Sequence, residues 1–489
     1  MSTPTSDITV PKAETSSSLP ARQTPAPGGQ VGITIALAVL GVFVTYVPIT
    51  GVSVSLDTIA RATGASPSQL QWVSDGYIIP MAAAVLSAGV FGDLHGRRRV
   101  FSIGMVLTVL GAIIAGFASL LGDSAVFVLW GAQAVAGLGA GLLLPTTLAL
   151  IAVAVPNPVE RGKYIGFWAT GIVVGLAVGP LFSGAILSFA GWGWIFVPSG
   201  VLAAAAGLFA HVKLPESKSP AGRHLDWPGQ ITATIAIAAS IYGVIEGGAQ
   251  GWGSLAAVVG LVIGGISLIA FVVVESRSTA PIMDLGLFRS VSFSAAGLAA
   301  LVALFSVVGT MFLLSLFLGA VQHLDALGIG VRLLFVSGVA TVVSPIVGML
   351  LAKVKPILLL TAGLILNAGA VLLLTGVEDD TSLGQFAWRL AVFGVSLSLM
   401  LTSVSLVAIN SAPWSQASMA SAANTALRQT GGALGPAILG AVYISDIGSG
   451  AAPAAALHSA LVVNLVLILV SAVVSVIAVV IPGKDPNAR

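Results

Sequence analysis

Acidic residues inside apolar segments are the side chains of this 489-residue chain best suited to chemistry. Asp75 lies about one helical turn inside its segment, and Glu246 ends another segment beside Gly247 and Gly248. An ionised group in hydrocarbon is costly, so such a residue is seldom retained without a use. The pattern predicts that Asp75 and Glu246 exchange protons or bind a cation. The alternatives are that Asp75 is hydrated near the membrane surface and that Glu246 is an interfacial helix end.

The densest charge cluster is residues 92–99, Gly-Asp-Leu-His-Gly-Arg-Arg-Arg, which separate two apolar runs. Glycines let a turn lie close to a neighbouring backbone, and arginines suit the cytoplasmic headgroup level. Asp93 is suited to the N-terminus of a partner helix, where the helix dipole favours negative charge. The alternative is a plain positive anchor, which needs the arginines but neither Asp93 nor the paired glycines.

A second pattern is a stripe of glycines at Gly171, Gly175 and Gly179, followed by Pro180 and Gly184. Residues spaced by four line one face of a helix, so a facing helix can approach closely, and Pro180 interrupts the hydrogen-bond ladder. The alternative is ordinary small-residue packing, which is frequent in membrane helices.

Composition places these patterns in a membrane protein. Hydrophobic residues make up 57% of the chain and charged residues 8%, against about a quarter charged in soluble domains. The absence of cysteine excludes disulfides and thiol catalysis. The five histidines are scattered without metal-ligand or triad spacing, and no basic patch for nucleic acid is present. We therefore expect no enzyme, no metal site and no cofactor.

Fourteen apolar stretches are each long enough to cross a bilayer, which takes about 20 residues. Continuous runs of this length favour helices over a barrel, so the predicted fold class is an all-α polytopic membrane protein. The predicted spans are 33–56, 71–91, 100–121, 125–153, 163–188, 193–213, 228–246, 254–274, 292–318, 327–351, 356–376, 386–409, 418–443 and 456–481.

The basic residues predict the orientation. With a cytoplasmic N-terminus, most of the twenty lysines and arginines fall on the inner side, as the positive-inside rule requires. We expect a plasma-membrane protein with both termini in the cytoplasm. The expected domains are a disordered tail (1–30), a six-helix half (31–214), a linker with two inserted helices (215–290), a second six-helix half (291–482) and a short tail (483–489).

These motifs give the chain a resemblance to a known family. Residues 71–73 with 92–99 resemble the signature loop of the major facilitator superfamily, and residues 171–184 resemble the antiporter motif of its exporters. Residues 242–252 (Tyr-Gly-Val-Ile-Glu-Gly-Gly-Ala-Gln-Gly-Trp) and 427–432 (Leu-Arg-Gln-Thr-Gly-Gly) extend the resemblance to the fourteen-helix drug:proton antiporters. It covers nearly the whole chain after residue 30.

The resemblance implies a major facilitator fold, with two six-helix halves plus two inserted helices, and export by alternating access. It implies an inner gate that latches onto residues 418–422 at the start of helix 13 and is formed by Gly92, Asp93, Gly96, Arg97, Arg98 and Arg99. It implies an antiporter motif of Gly171, Gly175, Gly179, Pro180 and Gly184. The implied partners are a small amphipathic substrate, protons and the lipid bilayer, and the implied state is a monomer.

Two departures from the family pattern concern its usual charges. The family's first helix carries an aspartate in a Phe-x-x-x-Leu-Asp pattern, but Phe43 is followed here by Val-Thr-Tyr-Val-Pro. The family's helix 4 arginine is also absent from the run that begins at Gln133. The loss of both charges together is consistent with removal of an ion pair, because either charge alone would be buried without a partner. Asp75 is then the best remaining candidate for proton coupling.

We predict an exporter of amphipathic drug-like or antibiotic compounds that is driven by protons. The alternatives are an uncoupled exporter or facilitator of an endogenous metabolite, lipid or peptide, and a non-transporting membrane sensor. From their depth within the predicted spans, we expect the substrate cavity to be lined by Tyr46, Gln133, Trp168, Phe312, Asn410 and Arg428. An unbroken helix 2 would also place Asp75 and Asp93, eighteen residues apart, on one face.

Overall fold

The computed structural model describes residues 28–155, 158–218, 225–279, 281–351, 353–412 and 417–480. These ranges form fourteen α-helices and three short 3-10 turns. The helices are α1 (Gly28–Thr63), α2 (Pro67–His95), α3 (Arg97–Ala118), α4 (Ala125–Ala154), α5 (Pro158–Leu187), α6 (Val197–Lys213), α7 (Trp227–Gln250), α8 (Leu255–Arg277), α9 (Val291–Ala320), α10 (Ala326–Leu350), α11 (Pro356–Leu374), α12 (Leu383–Asn410), α13 (Ala417–Gly448) and α14 (Pro453–Val480).

Most of these helices can cross a membrane. Twelve of the described helices are long and apolar enough as they stand, and α2 is a further span with a bend in it. α13 is less apolar because it carries Asn424, Arg428 and Gln429 among several serines and threonines. The predicted all-α membrane fold is confirmed, and the helix count agrees with the fourteen predicted segments.

The last six helices repeat the packing of the first six. In the first half α1 packs on α5, α2 packs on α4, and α3 packs on both α4 and α6. In the second half α9 packs on α13, α10 packs on α12, and α11 packs on both α12 and α14. The halves meet where α2 packs on α13 and α5 packs on α10. These two contacts are equivalent when the halves are superposed, as expected of an internal repeat.

The two inserted helices pack against each other, and α7 also contacts α2 and α13. The pair therefore lies along the seam between the halves. α8 exposes large apolar side chains such as Leu255, Ile266 and Ile269, as expected for a helix that faces lipid. Near its end, Glu275 accepts a hydrogen bond of 3.1 Å from the Met283 N–H. This bond holds the connection to α9 against the inserted pair.

Helix starts follow local capping chemistry. Ser66 accepts a hydrogen bond of 3.3 Å from the Gln69 N–H, and the Ser66 N–H donates at 2.8 Å to the Gln69 side chain. This capping box begins α2. Asp325 begins α10 by accepting from the Gly328 N–H at 2.8 Å. We call the end of the bundle at which α2 and α10 begin the far end. We call the opposite end, where Arg97 lies, the arginine end.

The glycine stripe of α5 fits directly against α1. A Cβ built on Gly171 would lie 3.1 Å from the Val39 carbonyl oxygen, and one on Gly175 would lie 3.0 Å from the Phe43 carbonyl oxygen. At Gly179 the same construction places the Cβ 2.5 Å from the Val47 carbonyl oxygen. A methyl group has no room at these positions, so the two helix backbones are in close contact. The predicted close approach of a facing helix is confirmed, and that helix is α1.

α2 is not straight. It bends by 57° where Ser68–Val85 meets Ser87–His95. Pro80 lies inside the helix before the bend and has no N–H to complete the hydrogen-bond ladder. The prediction that Asp75 and Asp93 share one face of an unbroken helix was therefore wrong, because the bend lies between them.

The glycine seam makes a prediction about stability. We expect Gly179→Ala to lower the thermal unfolding midpoint in detergent, because overpacking of a tight contact costs about 1–3 kcal/mol. Gly166→Ala is the matched control on the same helix, since an added Cβ there meets nothing within 4 Å. Alanine favours helix over glycine, so the control should leave the midpoint unchanged or raise it. Equal midpoints for the two variants would contradict the seam.

Candidate functional site

Asp75 is completely buried in α2, at 0% exposure. In the part of the chain that the structure describes, neither of its carboxylate oxygens has a hydrogen-bond partner. The side-chain amide of Gln71 and the Ser74 hydroxyl, on the same turn, are also buried without partners among the described residues. Buried polar groups are nearly always paired, so three such neighbours make this turn the candidate site. Asp75 does not face open lipid or water.

This polar turn lies at the contact between the halves near the far end. Gly440 of α13 packs directly against the Gln71 side chain, and a Cβ on Gly440 would lie 3.0 Å from Phe312 Cε1. Phe312, one of the predicted cavity residues, is fully buried there in α9. The structure therefore brings Phe312 to the same contact as the polar turn of α2.

A second buried charge lies deeper along α13. Arg428 is 2% exposed, and its Nε and Nη2 atoms have no partner among the described residues. It lies next to the Tyr46 hydroxyl, which donates to Gln429 Oε1 at 3.2 Å. The Gln429 amide also contacts the Met81 sulfur at 3.1 Å. We name Tyr46, Met81, Arg428 and Gln429 the central cluster, which joins α1 and α2 to α13.

The two buried charges do not pair with each other. The ion pairs found in the described ranges join Asp57 to Arg61, Asp93 to Arg97, and Glu216 to Arg98. Met81 marks the level of the central cluster on α2, six residues beyond Asp75. The rise of an α-helix separates these two levels by about 9 Å. The contact between α2 and α13 thus holds a carboxyl group and a guanidinium at different depths.

The other predicted cavity residues lie elsewhere. Gln133 donates to the Val73 carbonyl at 3.1 Å and ties α4 to α2. Trp168 donates to the Thr147 hydroxyl at 2.9 Å and ties α5 to α4. Asn410 is the exposed last residue of α12. Its predicted depth was wrong because α12 ends there, so Asn410 lies at the arginine end. Of the six, the structure brings Tyr46 and Arg428 together.

Glu246 is half-buried near the C-terminus of α7, at the far end of the bundle. Its carboxylate accepts a hydrogen bond from the Gln250 side chain, one turn later on the same helix. The rings of Trp72 on α2 and Tyr242 on α7 lie 6.2 Å apart. This environment favours the interfacial helix-end interpretation, and a role of Glu246 in coupling stays a prediction.

The gate motif forms a compact turn. Arg97 pairs with Asp93 at 2.8 Å. Gly96 has φ 108°, a conformation that favours glycine. The Glu216 carboxylate accepts from the Arg98 N–H at 3.1 Å and pairs with the Arg98 side chain at 3.6 Å. Glu216 therefore caps the start of α3, where the helix dipole favours a negative charge.

The predicted partner of the gate motif is the segment of residues 418–422. The side chain of its first residue, Ser418, lies outside the described residues. The latch between Asp93 and α13 therefore stays a prediction. Arg99 is exposed at the arginine end, and Gly92 is buried. Sequence reasoning treated Glu216 as part of a linker and missed the cap. The sequence does contain a signal for this contact, because Glu216 is an isolated acid soon after α6 and three consecutive arginines are available to pair with it.

The antiporter motif divides between two neighbours. Its three glycines face α1, whereas its last part faces α10 of the other half. A Cβ on Gly330 would lie 2.8 Å from the Pro180 carbonyl oxygen, and one on Gly184 would lie 2.9 Å from the Ala326 carbonyl oxygen. The motif therefore contributes to the contact between the halves at the far end.

Sequence reasoning also missed a polar network inside the second half. Asn464 donates to the Ser306 and Thr310 hydroxyls, each at 3.1 Å. Ser306 donates to Asn367 at 3.1 Å, and Asn367 donates to Ser396 at 2.8 Å. These bonds join α9, α11, α12 and α14. The signal was isolated amide residues in otherwise apolar segments, whose side chains need partners in a membrane.

The Glu216 cap can be tested directly. We expect Glu216→Ala to increase hydrogen exchange at the first amides of α3, because the cap accepts from the Arg98 N–H. Loss of such a cap costs about 1 kcal/mol. Asp380→Ala is the control, since Asp380 is an exposed acid in a loop at the far end. Unchanged exchange at Arg98 in the Glu216 variant would show that the carboxylate does not hold this turn.

Comparison with known sequences identifies the family. The chain matches the family model described as Major Facilitator Superfamily over residues 38–436. It is 32% identical over 410 residues to the multidrug resistance protein Stp of Mycobacterium tuberculosis (strain CDC 1551 / Oshkosh), covering 84% of this chain and 75% of that protein. It is 29% identical over 430 residues to the tetracenomycin C resistance and export protein of Streptomyces glaucescens, covering 87% and 78%.

Two solved structures share the fold. The human organic anion transporter MFSD10 (TETRAN) superposes with a TM-score of 0.62 at 14% identity, covering 93% of this chain and 100% of that one. A bacterial homologue of the human lysosomal transporter Spinster, in an inward-facing and unoccupied conformation, gives 0.63 at 16% identity, covering 92% and 97%. Because the family model matches most of its length, the chain belongs to the major facilitator superfamily of membrane transporters.

Proposed function

We propose that the protein exports amphipathic drug-like or antibiotic compounds by alternating access, in exchange for protons. The observation that carries the proposal is Asp75, a fully buried carboxyl group one helical turn from the contact of Gln71 with α13, neither of whose oxygens has a partner among the described residues. The names of Stp and of the tetracenomycin C resistance and export protein support the substrate class. In this proposal Asp75 is the group that carries the proton.

The physical basis is the cost of an isolated buried charge. A carboxylate without a partner in a protein interior is strongly destabilising, and a bound proton removes its charge. When the halves part and water reaches Asp75, the ionised form becomes stable and the proton can leave. Protonation and conformation are then coupled, because a proton binds the closed arrangement better than the hydrated one.

The contacts between the halves support a state that is closed at the far end. There Gln71 packs on Gly440, and Pro180 packs on Gly330. Gly319 of α9 also lies against Asp57 of α1. If the arginine end faces the cytoplasm, as its basic residues favour, this state admits compounds from the cytoplasm. We propose this orientation, with both termini in the cytoplasm of a plasma-membrane monomer.

The central cluster supplies polar anchors for such a compound. Pockets for amphipathic ligands are mostly apolar and carry a few convergent polar groups. Arg428 offers two nitrogens that have no partner among the described residues as hydrogen-bond donors, beside the Tyr46 phenol and the Gln429 amide. Parting α1 from α13 would break the Tyr46–Gln429 bond and free these groups for an acceptor oxygen of the transported compound.

A second candidate is a facilitator that moves an endogenous compound without protons. The missing helix 1 aspartate and helix 4 arginine favour it, because these are the usual charges of the family that the chain resembles. Vesicles loaded with compound but lacking a proton gradient separate the two candidates. A facilitator still equilibrates the compound at full rate, whereas an antiporter does so only in exchange for protons.

We expect Asp75→Asn to abolish export driven by a pH gradient, because asparagine cannot take up and release a proton. A panel of antibiotics on cells lacking other pumps first identifies the compound to which the intact protein gives most resistance. Uptake of that compound into everted vesicles with an imposed pH gradient then gives the rate. The variant should lose at least ten-fold.

The control is Asp380→Asn, which removes an exposed acid in a loop at the far end. This variant should retain most of the rate at the same expression level. Undiminished gradient-driven uptake by Asp75→Asn would show that Asp75 does not carry the proton. Protection from no compound in the panel would instead count against drug export itself.

A further inference from the structure

We propose that Gln230, on the inserted helix α7, holds the bend of α2 and thereby positions the gate motif. The inserted pair would then act as a brace on the moving part of the transporter. The inference deepens the proposed function, on which it rests for the role of the gate. Its structural part concerns the shape of α2 and can be tested without any transported compound.

Gln230 bridges the two sides of the bend. Its side-chain amide donates to the Ala83 carbonyl at 2.5 Å, and its side-chain oxygen accepts from the Ser87 hydroxyl. The bend lies between these two residues, where Ser68–Val85 meets Ser87–His95. One side chain from another helix therefore bonds to both arms of α2.

The bonds fall at the turn that contains the bend. In a straight α-helix the Ala83 carbonyl would accept from the Ser87 N–H four residues later. Sharp bends occur where a proline breaks the ladder or where another side chain inserts into it. Pro80 removes a bond from the preceding turn, and Gln230 bonds to Ala83 and Ser87 at the bend itself. A side chain from a neighbouring helix therefore bonds to α2 at the position where its two arms diverge.

Gln230 is itself held firmly. It lies in the first turn of α7, next to Gly229, whose N–H donates to the Asp226 cap at 2.9 Å. The Glu275 carboxylate of α8 packs directly against Gly229, and its other oxygen holds the Met283 N–H. The start of α7, the end of α8 and the connection to α9 are therefore joined at the point from which Gln230 reaches α2.

The geometry gives the size of the effect. The arm beyond the bend, Ser87–His95, ends at the gate motif, which contains the Asp93–Arg97 pair. At a rise of 1.5 Å per residue this arm is about 13 Å long. Straightening it through the full 57° would move its tip by about 12 Å. Loss of the Gln230 bonds should therefore move the gate by several ångströms even if the bend relaxes only in part.

The test measures distances between spin labels. The chain contains no cysteine, so His95→Cys and Lys353→Cys introduce a single defined pair of labels at exposed positions of the arginine end. We expect Gln230→Leu to shift or broaden the distance distribution measured by double electron–electron resonance. Thr232→Val is the control on the same helix, because the Thr232 hydroxyl bonds to its own helix at Pro228. It should leave the distribution unchanged.

Two further variants keep the test decisive if Gln230→Leu does not fold. Gln230→Glu retains an acceptor for Ser87 but loses the donor to Ala83, so it should shift the distances. Ser87→Ala removes the other bond and should shift them less. An unchanged distribution in every Gln230 variant that folds overturns the proposal. If Gln230→Glu shifts the distances and Asp75→Asn abolishes export, both proposals are supported. If Gln230→Glu shifts the distances but the intact protein exports no compound, the role of Gln230 in the bend is supported and the proposed export function is contradicted.

Discussion

Asp75 places a carboxyl group inside the helix bundle of a membrane protein, where an ionised group without a partner is costly. Asp75 has no exposed surface and no hydrogen bond in the described ranges. Burying such a group in its ionised form costs more than a surface ion pair returns. Asp75 lies one helical turn from Gln71, whose side chain packs against Gly440 of α13, and this position underlies the proposal that its charge state is coupled to the contact between the halves.

The surrounding helices pack as two halves. Each half is closed by tight seams, such as the Gly179 contact with α1 and the buried Asn464 network. The contacts between the halves include Gly440 against Gln71 and Gly330 against Pro180 at the far end, and the Tyr46–Gln429 bond at the centre. Interiors packed this closely shift between discrete arrangements rather than deforming continuously, which suits a rocking transporter.

The sequence was sufficient to predict the fold and to select Asp75 as a candidate, but not to identify the long-range partners. Apolar runs of spanning length predicted the fourteen helices, and an acid inside such a run pointed to Asp75. Spacing by four predicted the close glycine seam of α5, but not that Gly184 turns to α10. Glu216 and Gln230 lie far along the chain from the turn and the bend that they hold, and no local pattern indicates such partners. Asn410 was misplaced because helix ends are poorly defined by apolar runs.

The central claim is that a compound and a proton exchange through Asp75, and one measurement tests it most directly. Purified protein in weakly buffered detergent solution is mixed with the compound to which it gives most resistance, and a pH indicator follows the proton. We expect binding to release protons from the unsubstituted protein and none from Asp75→Asn, which should still bind the compound. Equal proton release from both proteins would show that Asp75 does not carry the exchanged proton.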